Sequence, residues 1–267
     1  MKTERTLILA LLAGTSLLSG AELFKAEKAQ DFNTGAPWLT IKEDVLSFNR
    51  KGGFIGNKFL PLSGTKKYKI SAEARSVPGT DSKMVLYLGL QLYDKDNKRI
   101  DVITINSIPD TFTVLAADAK EGDMVLKIKD GSKWTNSRKD TVVAFDAKED
   151  YSDLPNTTLV GIKKGSIRKG EDVWTLELME PLKKAYSAGT KVRQHKSGGT
   201  YFYAVTKELS YDWQKVESPV FSGMAKFGEQ KLLLWPGTIS GKALFMVLGP
   251  GKNVKTEARN IKVEEVE

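Results

Sequence analysis

The longest regular alternation of apolar and polar side chains runs through KMVLYLGLQLYDKDNKRID, residues 83–101. Met84, Leu86, Leu88, Leu90 and Leu92 share one parity, and Val85, Tyr87, Gly89, Gln91 and Tyr93 the other, the period-two pattern of a strand buried on one face. The polar run Asp94 to Lys98 predicts a turn, with the chain returning as a strand from near Ile100, hence a hairpin inside an antiparallel sheet. A calcium loop of the EF-hand type is excluded there, because Arg99 stands sixth where Gly is required and Ile105 twelfth where Glu is required. The same alternation marks residues 51–76, where Tyr68, Ile70, Ala72 and Ala74 turn inward and Lys69, Ser71, Glu73 and Arg75 outward. Pro37-Trp38 has the character of a turn, and Val45 to Phe48 that of a short strand.

From about Thr111 the texture changes. Residues 113–134, 157–167, 172–182 and 188–194 read as short strands separated by Gly, Asp, Asn and Lys turns, and from Gly198 the longer strands resume. The expected fold is all-β. It is a jelly-roll β-sandwich built from residues 22–111 and 197–267, interrupted at 112–196 by an inserted small β-barrel or β-roll module. One larger sandwich with an elaborated loop stays open as the alternative. The later sandwich strands are expected in GTYFYAVTKEL, WQKVESPVF, KLLLWPGT, KALFMVLG and NIKVEEV, and a single helical turn in Leu178 to Tyr186. Trp134 and Trp174 are expected to form the core of the insert.

Composition narrows the setting. Residues 1–21 have the form of a secretory signal peptide, with Lys2 and Arg5 at the start, an apolar run from Leu7 to Leu18 and Ser19-Gly20-Ala21 at the cleavage point. No later run is long enough for a membrane span, and the absence of cysteine removes lipid anchoring through cysteine, disulfides and thiol chemistry. The expected location is secreted or periplasmic. The formal charge is +8, and losing two bases and one acid with the signal leaves +7, which favours anionic partners. Outside the cytoplasm these are acidic or sulfated polysaccharides or an anionic envelope, and no nucleic acid is expected. Scattered basic pairs such as Lys163-Lys164 are equally well read as solvated loop charges.

Three stretches carry a family resemblance: GNKFLPLSGTKKYKISAEARS, the Gly-Leu-Gln-Leu-Tyr-Asp-Lys-Asp-Asn-Lys-Arg-Ile run, and the closing Arg259-Asn260-Ile261-Lys262-Val263. They resemble carbohydrate-binding modules of the galactose-binding-like jelly-roll superfamily, which implies that fold and a glycan as ligand. An acidic residue near the end of such modules can help hold a structural calcium; here Arg259 and Asn260 occupy that place, which argues against the calcium, and no cofactor is expected. The insert is similar to small β-modules of phage-tail and bacterial surface proteins.

The residues themselves offer little catalytic chemistry. His195 is the only histidine, falls in a predicted loop and is expected to be solvated; there is no Gly-x-Ser-x-Gly elbow and no histidine or cysteine metal constellation. Glycosidase chemistry needs two carboxylates on a cleft, and Glu73 has no evident second. A sugar site, in contrast, needs aromatic rings against pyranose faces and polar groups for the hydroxyls. Tyr87, Gln91 and Tyr93, with Glu73 and Arg75 if the two strands are neighbours, supply that set, with Gly89 leaving a place without a side chain. Packing of the tyrosines under a loop or the insert is the alternative. Trp38, Trp213 and Trp235 form a second tier of candidates. The sequence therefore points to an exported, non-catalytic polysaccharide-binding protein, against a structural or adhesion protein, or a lyase or hydrolase on the same scaffold.

Overall fold

A computed structural model describes residues 20–33, 39–79, 83–135 and 140–267. The signal segment up to Ser19 and the Pro37-Trp38 turn lie outside the described residues. Among those described, the only helical pieces are 3₁₀ turns at Ala29–Asp31 and Val102–Thr104, and the rest of the regular structure is strand. The first group is β1 (Glu22–Lys25), β2 (Leu39–Lys42), β3 (Val45–Phe48), β4 (Gly52–Ile55), β5 (Leu60–Pro61), β6 (Lys67–Ser76) and β7 (Val85–Tyr93). The second is β8 (Thr113–Val114), β9 (Val125–Ile128), β10 (Thr141–Phe145), β11 (Leu159–Gly161), β12 (Arg168–Lys169), β13 (Trp174–Glu177) and β14 (Lys191–Lys196). The third is β15 (Phe202–Glu208), β16 (Gln214–Glu217), β17 (Phe221–Ser222), β18 (Ser240–Leu248) and β19 (Thr256–Val266).

The first and third groups interleave into two antiparallel sheets that pack face to face. One has seven strands, in the order β16-β6-β19-β3-β2 with β1 beside β19 and β17 beside β6. The other has five, in the order β15-β7-β18-β4 with β5 beside β18. Each presents one parity to a shared core: Tyr68, Ile70, Ala72 and Ala74 from β6 meet Leu86, Leu88, Leu90 and Leu92 from β7. The sheets are joined by aromatic contacts, Phe48 of β3 stacking on Phe245 of β18 at 4.3 Å and meeting Phe54 of β4 edge-on at 4.6 Å.

Several expected elements differ. Strands β6 and β7 are not neighbours; they belong to opposite sheets. The turn after β7 forms as expected, Asp94 accepting through Oδ1 from the amides of Asp96 and Lys98 at 2.9 Å each. Its return arm, however, is a bridge at Arg99 and one hydrogen bond from Ile100 before the 3₁₀ turn begins, so the real neighbours of β7 are β15 and β18. KLLLWPGT is a loop, and residues 178–186 contain no helical turn.

Strands β8 to β14 pair among themselves, in sheets β11-β10-β14-β8 and β12-β13-β9. Single bridges at Leu115↔Ile128 and Ile162↔Leu178 tie the two together around a second core that includes Leu126, Phe145 and Leu176. Trp134 is buried in it, and Trp174 packs against it, above Gly131. Strand β10, a continuous buried run of TVVAF, carries no alternation and went unassigned in the sequence for that reason.

The two regions meet through a polar junction. His195 is 0% exposed and lies in β14, not in a solvated loop. Its Nδ1 faces the Ile103 carbonyl at 2.8 Å, which makes Nδ1 the protonated nitrogen, and Nε2 accepts from Arg193 Nε at 3.1 Å. Arg193, 1% exposed, also donates to Asp153 Oδ2 and to the Lys148 carbonyl, each at 2.9 Å, and its guanidinium lies over the Tyr151 ring. That ring stacks on Phe227 of the sandwich at 4.6 Å, and Leu154 enters the sandwich core. Pro155 presses on Gly237, where a Cβ would lie 2.4 Å from the proline ring. The insert is therefore held by this docked loop as well as by its two chain crossings.

Two outcomes follow from this junction. Truncating Asp153 to Ala strands a buried guanidinium and should cost about 3–5 kcal/mol in a denaturant unfolding series, since breaking a buried pair leaves an uncompensated charge. Burial, first of all, lowers the His195 pKa to about 4, against 6.5 in the unfolded chain. The unfolded state then binds the extra proton between those values, so stability is full above pH 6.5 and falls towards pH 4, by on the order of 3 kcal/mol. Unfolding free energies at pH 7.5 and pH 5 should differ in the wild type and less so in His195→Gln; an unchanged difference would assign the pH response to other groups.

Candidate functional site

The outer face of the five-stranded sheet is set by the parity of β7. Burying its leucines turns Tyr87, Gln91 and Tyr93 outward. The same face receives residues that the strand pattern alone did not single out: Phe59 from the β4–β5 connection, Tyr201 and Tyr203 at the start of β15, and Lys242 and Met246 from β18. Tyr87 and Tyr203 have ring centroids 5.3 Å apart, with Tyr201 a further 6.2 Å from Tyr203. The Tyr201 hydroxyl lies over Gly53 of β4. At the other end Phe59 meets Tyr93 edge-on at 4.8 Å, and Tyr93 donates to Gln91 Oε1 at 2.6 Å. From Tyr87 to Tyr93 along the strand is about 20 Å, at roughly 3.3 Å per residue. Tyr203 is 38% exposed and Phe59 42%, so this is an accessible aromatic strip. Burial raises the phenol pKa of Tyr93 and Tyr203, which keeps both hydroxyls protonated and able to donate.

Gly89 does not leave an empty place on this strip. A bulge in β15 between Tyr203 and Val205 brings the Phe202 carbonyl against it, 1.9 Å from where a Cβ would lie. The glycine serves the close approach of backbone to backbone.

Glu73 and Arg75 are on the opposite outer face of the sandwich, on the seven-stranded sheet. Both are engaged. Arg75 donates through Nε and Nη2 to Glu257 at 2.9 and 2.7 Å, and Arg259 donates from Nε to Glu73 at 2.7 Å, with Asn260 adding a bond at 3.2 Å. The bonds from Arg259 and then Asn260 hold the Glu73 carboxyl below its ordinary range, which unsuits it as a general acid. Trp213 carries a guanidinium on its ring from each arginine, Arg75 at 4.9 Å and Arg259 at 4.6 Å. A polar cleft of about 480 Å³ beside Glu73 is lined by Glu22, Lys25, Lys215, Asn260 and Lys262. Trp235 is 2% exposed and belongs to the core, so it cannot meet a ligand, and Trp38 lies outside the described residues. Among the described residues no group of three or more His, Cys, Asp or Glu side chains is arranged to hold a metal, and no helix is long and apolar enough to cross a membrane.

The five residues predicted together thus divide into Tyr87, Gln91 and Tyr93 on one face and Glu73 and Arg75 on the other. Of the aromatic strip, Tyr201 and Tyr203 had a signal in the sequence, the alternation of GTYFYAVTKEL; Phe59 and Lys242 had none that distinguishes them from other surface positions. Trp213→Ala should cost about 1–2 kcal/mol in thermal or denaturant unfolding, by loss of two cation–π contacts. A variant as stable as the wild type would mean that the ion pairs hold this face without the ring. No protein-family model, curated protein or solved structure matches the chain.

Proposed function

We propose that the chain is an exported, non-catalytic glycan-binding protein that takes a polysaccharide along the outer face of its five-stranded sheet. The observation that carries this reading is the exposed strip from Phe59 and Tyr93 to Tyr87 and Tyr203, with the Gln91 amide among the rings. Rings of this kind cover the apolar faces of pyranoses, and amide and phenol groups meet their hydroxyls. The strip is long enough for several sugar residues in a row, which suits a polymer better than a monosaccharide. Export is supported by the form of residues 1–21, and cleavage after Ala21 would leave β1 whole, since that strand begins at Glu22. A non-catalytic role is supported by the position of Glu73, bound by Arg259 and on the other face from the rings.

A second reading, a surface or adhesion protein with protein partners, draws on one observation: Met124, Val125 and Met179 of the insert are exposed side by side around a shallow apolar depression. Affinity gel electrophoresis against a panel of soluble polysaccharides separates the two, retardation favouring the glycan reading and its absence across the panel the protein one. With a retarding polymer in hand, Tyr203→Ala and Tyr87→Ala should each weaken binding about ten- to a hundredfold, the loss of one stacked ring or one strong hydrogen bond. Arg75→Ala, on the far face, should leave affinity unchanged. The reverse pattern would move the site to the seven-stranded sheet.

A further inference from the structure

Lys242 stands out on the aromatic strip. It is a β18 residue directly opposite Gln91 of β7, and its ammonium lies 4.2 Å from the centre of the Phe59 ring and 5.6 Å from that of Tyr93. Most of the lysines and arginines that form ion pairs among the described residues lie on the seven-stranded sheet or the insert. Lys242 has no carboxylate partner among the described residues. Beside it, Gln91 uses its Oε1 to accept from the Tyr93 hydroxyl, which leaves the Nε2 amide group as a donor. One end of the strip therefore combines an uncompensated cation, an amide donor and an exposed ring at 42% accessibility, within the span of one sugar.

We propose that Phe59, Gln91, Tyr93 and Lys242 form a subsite for an acidic sugar. In it the Lys242 ammonium and the Gln91 amide take the anionic group, a uronate carboxylate or a sulfate ester, while Phe59 covers the pyranose face. The rings favour this charge: the π-systems of Phe59 and, more distantly, Tyr93 attract a cation beside them. A neutral glycan would leave that cation without a counter-ion in a partly dehydrated place, so the site discriminates by charge as well as by shape. The net positive charge, +7 once residues 1–21 are lost, draws such a polymer towards the protein as a whole, and Lys242 gives it a register.

This inference rests on the glycan-binding reading, and the experiment separates the two. Isothermal titration at moderate salt would use polygalacturonate, its fully methyl-esterified form, dextran sulfate and dextran, with the full exported chain. The expected result is tighter binding of polygalacturonate or dextran sulfate than of its uncharged counterpart, the stronger of the two identifying carboxylate or sulfate. Lys242→Met, which keeps the stem, should reduce that affinity about tenfold, the worth of one charged hydrogen bond, and bring the charged and uncharged polymers together. Lys242→Arg should retain most of it. Lys262→Met, on the opposite outer face, controls for loss of one net charge and should change little, with melting temperatures confirming that all variants are folded. Equal binding of charged and uncharged polymers by the wild type, or Lys242→Met no weaker than Lys262→Met, overturns the acidic subsite while the glycan reading stands. If none of the polymers, charged or neutral, is bound, the subsite falls, and silence across the wider panel takes the glycan reading with it.

Discussion

The parity of β7 is the constraint on which both the core and the candidate site depend. Four leucines must face the opposing sheet, and the pleat leaves no freedom in the matter: a slip of one residue would put every leucine in water and every tyrosine in the core. The strand is central, with β15 on one side and β18 on the other, so its register also places Lys242 opposite Gln91 and Met246 opposite Tyr87. The aromatic strip is thus the other side of the same decision that builds the core. A face made in this way comes with a rigid backing, since moving its rings would mean moving the leucines behind them.

The junction between sandwich and insert works by a different kind of energy. Arg193, Gln194 and His195 are three consecutive buried polar side chains, a costly arrangement unless each is satisfied. Each is, by groups far away in the chain: Asp153 and the Lys148 carbonyl for Arg193, both backbone groups of Thr135 for Gln194, the Ile103 carbonyl for His195. One of these bonds, from His195 Nδ1 to the Ile103 carbonyl, crosses from the insert to the 3₁₀ turn of the sandwich and is made only when the two regions are docked; Asp153, Lys148 and Thr135 belong to the insert itself and hold Arg193 and Gln194 in place behind it. A hydrophobic seam would tolerate sliding; a chain of directional bonds does not. The insert is thereby oriented with respect to the sheet faces, whatever it carries on its surface.

These two features explain what could be read from the sequence. Alternation told correctly which side of β6 and β7 is buried, because the pleat is local. It could not tell that the two strands lie in opposite sheets, because inward and outward are defined relative to whichever sheet a strand joins, and the crossing between them has no periodic signature. For that reason Glu73 and Arg75 were grouped with the tyrosines and prove to be a sandwich thickness away. Trp213 and Trp235 both lie near turns and look alike in sequence, yet one lies on the outer face under two guanidiniums and the other is in the core. His195 was read as a solvated loop residue because its satisfaction comes entirely from distant groups; polar residues in sequence look the same whether water or protein meets them.

The two outer faces of the sandwich are built from similar residues, rings with cations beside them, and their difference lies in cross-strand register. On the seven-stranded sheet, β19 sets Glu257 opposite Arg75 and Arg259 opposite Glu73. Opposite charges directly across a ladder satisfy one another, and both guanidiniums then settle on Trp213, so neither arginine is left unmatched. On the five-stranded sheet, the register sets Lys242 of β18 opposite the neutral Gln91, and Met246 opposite Tyr87. There the register places no carboxylate across from Lys242, so the cation is left to rings and solvent, and Tyr203 and Phe59 stay exposed. The first face is consumed in holding the sheet together. The second keeps its aromatic area and its charge available, which is the physical condition for recognising something outside the chain.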